Sequence, residues 1–438
     1  MADQGGSAHG IARASRVRTE EQRKVELDKI AKYRELEDQV RSSVARGDTG
    51  PDLFQLTSKL LRLNPEYYTV WNVRRRLLTS GLLSKPSAAS SPLTASLTAS
   101  PTATTTPPSA ASSSSSLSAT QPSHASPTAG RSGTTADSPV DEAKTSTADA
   151  TPRAAAVVAV VAGQKKDFDI LKSELEFTIP LLLDSPKCYW IWSYRLWLLQ
   201  QVIDRLSVPV ARRVWQEELG LASKMLTRDR RNFHAWGYRR HVVAQLESPR
   251  LGGGSMVEAE FEYTTRMIRM DLSNFSAWHS RSKLIPRLLG ERGADDSTRK
   301  GFLDEELGLI REALNVGPED QSLWYYHQFL ILNLVNPVGH PTLTPAFTLE
   351  DRVTYVTREI QDIKELLEDY DDVKLIYEAL LEYTLYLGQL QGRKLDGAEK
   401  DELAEWLQKL KKLDPMRNGR WTELERECGL VEMESFGN

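Results

Sequence analysis

Cysteine and long apolar runs are both scarce in this sequence of 438 residues. Its two cysteines, Cys188 and Cys428, lie far apart and belong to no Cys-x-x-Cys or Cys/His group, so we expect a reducing compartment and no metal site on this chain. The longest uncharged apolar run, residues 154–163, is about half of the ~20 residues that a membrane helix needs. The first 18 residues lack the apolar segment of a signal peptide. These absences predict a cytoplasmic protein that is not embedded in a membrane.

An excess of positive charge is absent too. The chain carries 56 Lys and Arg residues against 60 Asp and Glu residues, a net charge of −4, so it has no general attraction for polyanions. We therefore expect no nucleic-acid partner. The sequence also has no nucleophile elbow, no Gly-rich phosphate loop and no pair of catalytic carboxylates. Nothing in it predicts an enzyme that works alone.

Aromatic residues are missing from one long segment, residues 84–163, which consists mostly of Ser, Ala, Thr and Pro. Such a composition cannot bury enough apolar surface to offset the loss of chain entropy, and it predicts a disordered insertion. The remaining boundaries follow from it. We expect a flexible N-terminus over residues 1–18, an N-terminal helix with the first repeat hairpin over 19–83, and the rest of the helical repeat domain over 164–438.

Five tryptophans mark an internal repeat. The last four are 44, 42 and 46 residues apart, and the first interval becomes 41 when the 80 residues of the insertion are left out. Units of about 40 to 47 residues are typical of helical-hairpin arrays. The insertion thus interrupts a regular array, whose repeat tryptophans are Trp71, Trp192, Trp236, Trp278 and Trp324.

Other positions recur in register with each Trp. Apolar pairs lie six and seven residues after it and ten and eleven before it, with turn residues between the two pairs. We expect the polar turn residues to cap the second helix and the turn prolines to lie in its first turn. One hairpin cannot cover its own apolar face, so the sequence predicts an all-α fold, a right-handed α-α superhelix of stacked helical hairpins.

A cation follows each Trp by three residues, as Arg74, Arg195, Arg239 and Arg281, and as His327 in the fifth repeat. We interpret the Trp rings as core packing residues. The repeated Arg side chains could bond helix C-terminal carbonyls of the neighbouring hairpin, or they could face an acidic or phosphorylated partner. A positive stretch around one turn is a weak candidate for phosphate binding; its members are Arg228, Arg230, Arg231, His234, Arg239, Arg240 and His241.

The repeat blocks resemble those of protein prenyltransferase α subunits. The resemblance is strongest in residues 64–75, which contain Asn-Pro-Glu-Tyr-Tyr-Thr-Val-Trp-Asn-Val-Arg-Arg, and in residues 229–240, which end in Trp-Gly-Tyr-Arg-Arg. Residues 274–282, 320–327 and 413–417 make the chain look most like the α subunits of Rab geranylgeranyltransferase, the type II enzyme. It departs from the pattern at His327 and Gln321, which replace the usual Arg and upstream aromatic residue.

This resemblance implies a heterodimer with a prenyltransferase β subunit, which holds the catalytic zinc, while this chain binds no cofactor itself. It implies transfer of a geranylgeranyl group from geranylgeranyl diphosphate to C-terminal cysteines of Rab GTPases presented by a Rab escort protein. The family's lysine near the leaving diphosphate matches Lys187 of Pro186-Lys187-Cys188-Tyr189, and Tyr189 and His234 match positions at the seam between the subunits. From the residues alone, Lys187 reads as a solvated lysine in the first turn of a helix.

Two alternatives stay open. The chain could be the α subunit shared by farnesyltransferase and type I geranylgeranyltransferase, which acts on CaaX proteins. It could also be a non-catalytic adaptor of the HEAT or tetratricopeptide kind, because repeat length does not separate these arrays from prenyltransferase repeats.

Overall fold

A computed structural model describes residues 19–86, 150–335 and 342–430 of the chain. These residues form helices and connecting turns, without a strand in the described ranges, and the all-α prediction is confirmed. The helices are α1 Glu20–Ala45, α2 Pro51–Leu63, α3 Tyr68–Leu77, α4 Ala150–Asp184, α5 Tyr189–Arg205, α6 Val208–Arg228, α7 Phe233–Glu247, α8 Val257–Met270, α9 Phe275–Glu291, α10 Asp296–Val316, α11 Gln321–Val335, α12 Leu349–Asp369, α13 Lys374–Gln391, α14 Gly397–Leu413 and α15 Asn418–Glu427.

Consecutive helices from α2 onward pair as hairpins, and α1 packs against α2 at the start of the array. The five Trp-centred hairpins are α2–α3, α4–α5, α6–α7, α8–α9 and α10–α11. A sixth hairpin, α12–α13, and a shorter seventh, α14–α15, continue them after Trp324. We call the even-numbered members of these pairs first helices and the odd-numbered members second helices.

The second helices form the inner layer of the array. Neighbouring second helices pack against one another, as α3 does with α5 and α9 and α13 both do with α11. The first helices stand further apart and leave grooves between them, for example a groove of about 610 Å³ between α4 and α6. Because the layer of second helices is the tighter one, the array curves towards it.

The turn chemistry differs from the prediction. The polar residues at the start of each turn end the first helix instead of capping the second: Asn64 Oδ1 accepts from the Glu66 amide, and Asp229 Oδ1 accepts from the Arg231 amide. The N-cap of the second helix lies three residues later, for example at Asn232. The side chain of a short polar residue bonds the amide two residues on more readily than it reaches a later helix, which explains the difference.

The boundary of the predicted insertion also needs correction. Helix α4 begins at Ala150, inside the segment predicted as disordered, because the Ala-rich run 154–163 favours a helix and continues into the periodic residues that follow. Residues 87–149, like the predicted flexible N-terminus 1–18, lie outside the described residues.

The two ends of the array that flank this segment contact each other. The Ser84 amide donates to Asp167 Oδ1 on α4 at 2.9 Å, and the Ser84 hydroxyl donates to Asp167 Oδ2. Arg205 Nε on α5 donates to the Ser84 carbonyl oxygen at 3.0 Å. Hairpin α2–α3 therefore packs directly onto hairpin α4–α5, and the first interval of the repeat is a normal step of the array.

Candidate functional site

Each repeat Trp is buried and holds the turn before its own helix. The indole N–H of Trp192 donates to the Pro186 carbonyl oxygen at 2.9 Å, and that of Trp236 donates to the Arg230 carbonyl oxygen at 2.8 Å. Trp71, Trp278 and Trp324 make the equivalent bond to the carbonyl six residues earlier. The ring therefore fills the core while its one polar atom fixes the backbone of the turn.

The repeated Arg side chains do not face a partner, and their contacts are not limited to carbonyl groups at helix ends. Arg195 is 1% exposed, and its Nε donates to Glu218 Oε2 at 3.1 Å, so that a second helix is joined to the first helix of the next hairpin. The same buried pair forms three more times, as Arg74 with Glu174, Arg239 with Glu260 and Arg281 with Glu306. Since these guanidinium groups are neutralised inside the array, binding of an acidic partner by them is excluded.

The glutamates of these pairs were not predicted from the sequence. They recur eighteen residues before each later Trp, as Glu174, Glu218, Glu260 and Glu306. A tyrosine two residues after the Trp donates its hydroxyl to the same carboxylate in three of the pairs, from Tyr194, Tyr238 and Tyr326. Burial, with the adjacent carboxylate, holds the pKa of Tyr194 well above its ordinary value, so the phenol keeps the proton that it donates.

His327 takes the place of the arginine in the fifth repeat. Its Nε2 lies 3.1 Å from Glu359 Oε2 and its Nδ1 lies 2.9 Å from the Tyr383 hydroxyl, with both the histidine and the glutamate fully buried. Burial alone would raise the pKa of Glu359, but the His327 hydrogen bond and the charges of Arg311 and Arg358 outweigh burial and lower it. His327 and Glu359 thus still link hairpin α10–α11 to hairpin α12–α13, although an imidazole is smaller than a guanidinium group.

The residues singled out by the family resemblance do come together. Lys187 lies in the turn between α4 and α5, before the helix begins at Tyr189, so its predicted place in a first helical turn is wrong. The Tyr189 and His234 rings meet edge to face with centroids 4.2 Å apart. Burial lowers the pKa of His234, and the nearby Lys187 charge lowers it further. One surface thus presents an ammonium group, a phenol and a half-buried imidazole.

Lys187 is free to reach a ligand. Its side chain is 71% exposed, and its ammonium group has one ion-pair contact in the described structure, to Asp229 at 3.7 Å. An exposed pair at this distance contributes little to stability, so an incoming anion can displace it. Cys188, the next residue, is buried, and burial raises the pKa of its thiol to about 11. Its sulfur donates to the Pro65 carbonyl at 3.4 Å and is not a nucleophile here.

Asn232 anchors this cluster from the neighbouring hairpin. Its Oδ1 accepts from the His234 amide at 3.0 Å as the N-cap of α7, while its Nδ2 donates to the Pro186 carbonyl oxygen at 3.1 Å. The amide is buried, so both bonds are protected from water. The backbone before Lys187 and the start of the helix that carries His234 are therefore held at a fixed separation.

The positive stretch around this turn does not gather into a phosphate site. Arg239 is buried against Glu260, Arg231 forms two hydrogen bonds with Asp271, and Arg228 bonds the Leu183 carbonyl. Arg230 and Arg240 remain exposed but have different neighbours: the Arg230 charge acts on Asp271, and Arg240 donates to the Ser280 hydroxyl on α9. Charge that is close in sequence is dispersed by the hairpin geometry.

A row of exposed aromatic side chains runs along the turns beside Lys187. They lie near the start of successive second helices, and neighbouring rings touch: Tyr189 and Phe233 have centroids 6.3 Å apart, and Phe275 and Tyr325 lie 5.9 Å apart. Each member is about half exposed, which is unusual for rings of this size and marks a contact surface. We call this row the aromatic rim; it comprises Tyr68, Tyr189, Phe233, Phe275 and Tyr325.

Neither a metal site nor a membrane helix emerges from the described residues. No three His, Cys, Asp or Glu side chains in them are arranged to hold a metal ion. Within the same ranges, every helix is too short or too polar to cross a bilayer.

Comparisons with known proteins agree with this architecture. The family model described as protein prenyltransferase alpha subunit repeat matches residues 51–81, 171–202, 215–246, 257–288 and 303–334, which fall on the five Trp-centred hairpins. Among solved structures, Candida albicans protein geranylgeranyltransferase-I complexed with GGPP matches with a TM-score of 0.51, covering 91% of each chain. At 16% identity, that likeness establishes the fold alone.

Curated relatives extend the likeness along the chain. The chain is 29% identical to the geranylgeranyl transferase type-2 subunit alpha of Schizosaccharomyces pombe over 96% of its own length and 98% of the relative. The subunit of the same name from Candida albicans is 26% identical over 95% and 96% of the two chains. That of Saccharomyces cerevisiae is 38% identical over 36% of this chain and 46% of the relative. With five matched repeats in register and relatives of this kind along nearly all its length, the chain belongs to the protein prenyltransferase α-subunit family.

Proposed function

We propose that this chain is the α subunit of a heterodimeric, cytoplasmic Rab geranylgeranyltransferase. The observation that carries the proposal is its likeness, over nearly full length, to type-2 alpha subunits from two yeasts. Adaptor arrays also stack hairpins, but the buried Arg–Glu pairs and the Lys187 turn lie inside matched prenyltransferase repeats. The likeness to a solved type I enzyme is too distant in sequence to favour CaaX substrates.

In this proposal a β subunit holds the zinc, and a Rab escort protein presents the Rab C-terminus. Zinc would favour the thiolate form of the substrate cysteine. The thiolate attacks C1 of geranylgeranyl diphosphate, the C–O bond breaks, a thioether forms and diphosphate leaves. Since negative charge grows on the leaving group, the Lys187 ammonium beside it would lower the barrier. Tyr189 and His234 would line the same seam.

The exposed aromatic rim supports a heterodimer. Rings that are half exposed in the isolated chain would be covered by a second subunit, which would also exclude water from Lys187. Exposure of Lys187 in this chain then agrees with a role that is completed only in the complex.

The test is reconstitution with a candidate β subunit. The complex is assayed with geranylgeranyl or farnesyl diphosphate, and with an escorted Rab protein or a CaaX peptide. We expect transfer of geranylgeranyl to the escorted Rab. Preferred transfer to the CaaX peptide would support the shared α subunit of the other two enzymes instead, and failure to form any complex would support the adaptor.

Lys187→Ala separates catalysis from assembly. We expect kcat to fall about 100-fold, as when one stabilising group for a developing anion is removed, with unchanged heterodimer affinity. Lys224→Ala, which removes an exposed lysine from α6 on the outer layer, is the matched control and should leave kcat unchanged. Equal turnover of the two variants would mean that Lys187 is a solvated surface lysine with no role in catalysis.

A further inference from the structure

The inner layer has an unusual charge pattern for a protein whose net charge is negative. Along helices α3, α5, α7 and α9 the only carboxylates are Asp204, Glu247 and Glu291, each in the last turn of its helix. The first helices supply the acidic partners of the buried pairs. The three carboxylates at the helix ends therefore leave the cations in the middle of these helices without an acidic partner on their own layer, whereas Arg287, nearer the end of α9, pairs with Glu247 and Glu291.

We follow the charge of the inner face at two positions of the repeat. They lie four and five residues after each Trp and, in the sixth hairpin, after Tyr377, whose Glu359 lies eighteen residues before it as in the other repeats. These positions are basic in hairpins one, three and four, neutral in hairpins two and five, and acidic in hairpin six. In chain order the pairs are Arg75 and Arg76, Leu196 and Trp197, Arg240 and His241, Ser282 and Lys283, Gln328 and Phe329, and Leu381 and Glu382.

The cations at the first end of this face lack acidic partners. Arg75 bonds Asn72 at 2.8 Å and Ser193 on α5 at 3.3 Å, and Arg240 bonds Ser280 on α9 at 3.4 Å. No carboxylate in the described ranges forms an ion pair with Arg75, Arg240 or Lys283. Partial burial without a carboxylate lowers the pKa of the Arg75 and Arg240 guanidinium groups. Burial also lowers the pKa of His279, and the Arg240 and Lys283 charges lower it further. Arg240 and Lys283 therefore lie close enough to each other to act on the same imidazole.

The opposite end is acidic. Glu382 on α13 accepts two hydrogen bonds from the Gln328 amide on α11, both at 2.8 Å, and one from the Tyr386 hydroxyl. None of these donors is charged, so these contacts give the carboxylate no counter-ion. Arg75 and Glu382 therefore give the two ends of the inner face opposite charge, and we call this difference between the ends the charge gradient.

We propose that the inner face binds its protein partner in one polarity, with an acidic surface of that partner against α3, α7 and α9 and a cationic surface against α13. The inference rests on the proposed function, from which the β subunit is taken as the partner. Opposite charges across an interface speed up encounter and fix orientation, while like charges disfavour the reversed placement. The gradient would thus set which end of the β subunit meets Lys187.

Association kinetics with the reconstituted β subunit test this polarity. Lys283→Glu reverses an exposed charge that makes no contact needed for folding, and with Arg240→Glu it should slow association about tenfold at low ionic strength. The difference should shrink as salt is raised. Arg213→Glu, on the outer face of α6 with an 82% exposed side chain, is the matched control and should leave the association rate unchanged.

Glu382→Lys examines the other end. If a cationic surface faces α13, this variant associates more slowly; faster association would mean a uniformly acidic partner and would overturn the proposed polarity. Thermal unfolding of each variant shows whether the array is intact, and Glu382→Gln provides a milder change of the same charge. A heterodimer whose association ignores all of these charges would overturn the inference alone, whereas the absence of any heterodimer would overturn the proposed function.

Discussion

Replacing Arg281 with alanine should destabilise the array far more than removing an exposed arginine from the same helix. Arg281 is 4% exposed, and its Nε donates to Glu306 Oε2 at 2.8 Å. Its Nη1 donates to the Thr265 hydroxyl at 2.7 Å, and its guanidinium lies 3.8 Å from the centroid of the Phe261 ring. One side chain thus joins α8, α9 and α10.

The cost follows from what the substitution leaves behind. Glu306 is 3% exposed and would keep a single donor, the Tyr326 hydroxyl, so its charge would be buried without a counter-ion. Breaking a buried pair in this way costs about 3–5 kcal/mol. Arg287, six residues later, pairs with Glu247 while its side chain is 43% exposed, and loss of such a pair costs about 0–1 kcal/mol.

Urea unfolding followed by circular dichroism compares Arg281→Ala with Arg287→Ala. Adding Glu306→Gln to the first variant removes the stranded charge but keeps an acceptor for Tyr326, so it should restore part of the lost stability. A loss for Arg281→Ala within about 1 kcal/mol of the Arg287→Ala value, or no recovery in the double variant, would refute the view that these pairs are buried charges linking hairpins.

Three further outcomes follow from the same coordinates. Gly253→Ala would place a Cβ 1.8 Å from a backbone carbonyl oxygen, so it should cost at least about 1–3 kcal/mol in thermal unfolding, whereas Gly254→Ala, which enters open space, should cost little. Asp271→Asn should lower stability at neutral pH, because a hydrogen bond from its arginine partner holds the pKa of this carboxyl below its ordinary value. That contribution is present above the ordinary pKa of about 3.9 and is lost as the pH falls through the lower folded-state value, so the urea midpoints of variant and natural chain should approach each other as the pH is lowered below about 3.9. Asn232→Ala and Asn274→Ala should each cost about 1 kcal/mol as lost caps, but only the first should lower heterodimer turnover beyond its effect on stability.

The fold was predictable because the repeat is periodic at several levels. The spacing of Trp192, Trp236, Trp278 and Trp324, with apolar pairs on both sides, specifies helices, turns and stacking at once. The position of α4 was predictable only from residue 164 onward, because an Ala-rich run is compatible with a helix or with a chain that buries nothing.

The polar partners were harder to predict. Pairing of Arg239 with Glu260 depends on how one hairpin stacks on the next, and no local rule connects two residues on different helices. Lys187 has the same difficulty: its exposure and its nearness to His234 arise from the Asn232 bond across hairpins. The family resemblance identified Lys187 and His234 as site residues. The periodicity of the chain predicted only the helices and turns around them.

The contact between Ser84 and Asp167 has a consequence for how this gene can change. Because Ser84 is bonded to α4 within the array, the array does not fix the length of the chain that connects residue 86 to residue 150. Doubling the length of such a connection adds only about 0.6 kcal/mol of closure entropy. Natural length variation, epitope tags or fluorescent reporters should therefore be accepted between residues 87 and 149, while a residue added to the turn between α6 and α7 should disturb the Trp236 and Asn232 hydrogen bonds made there.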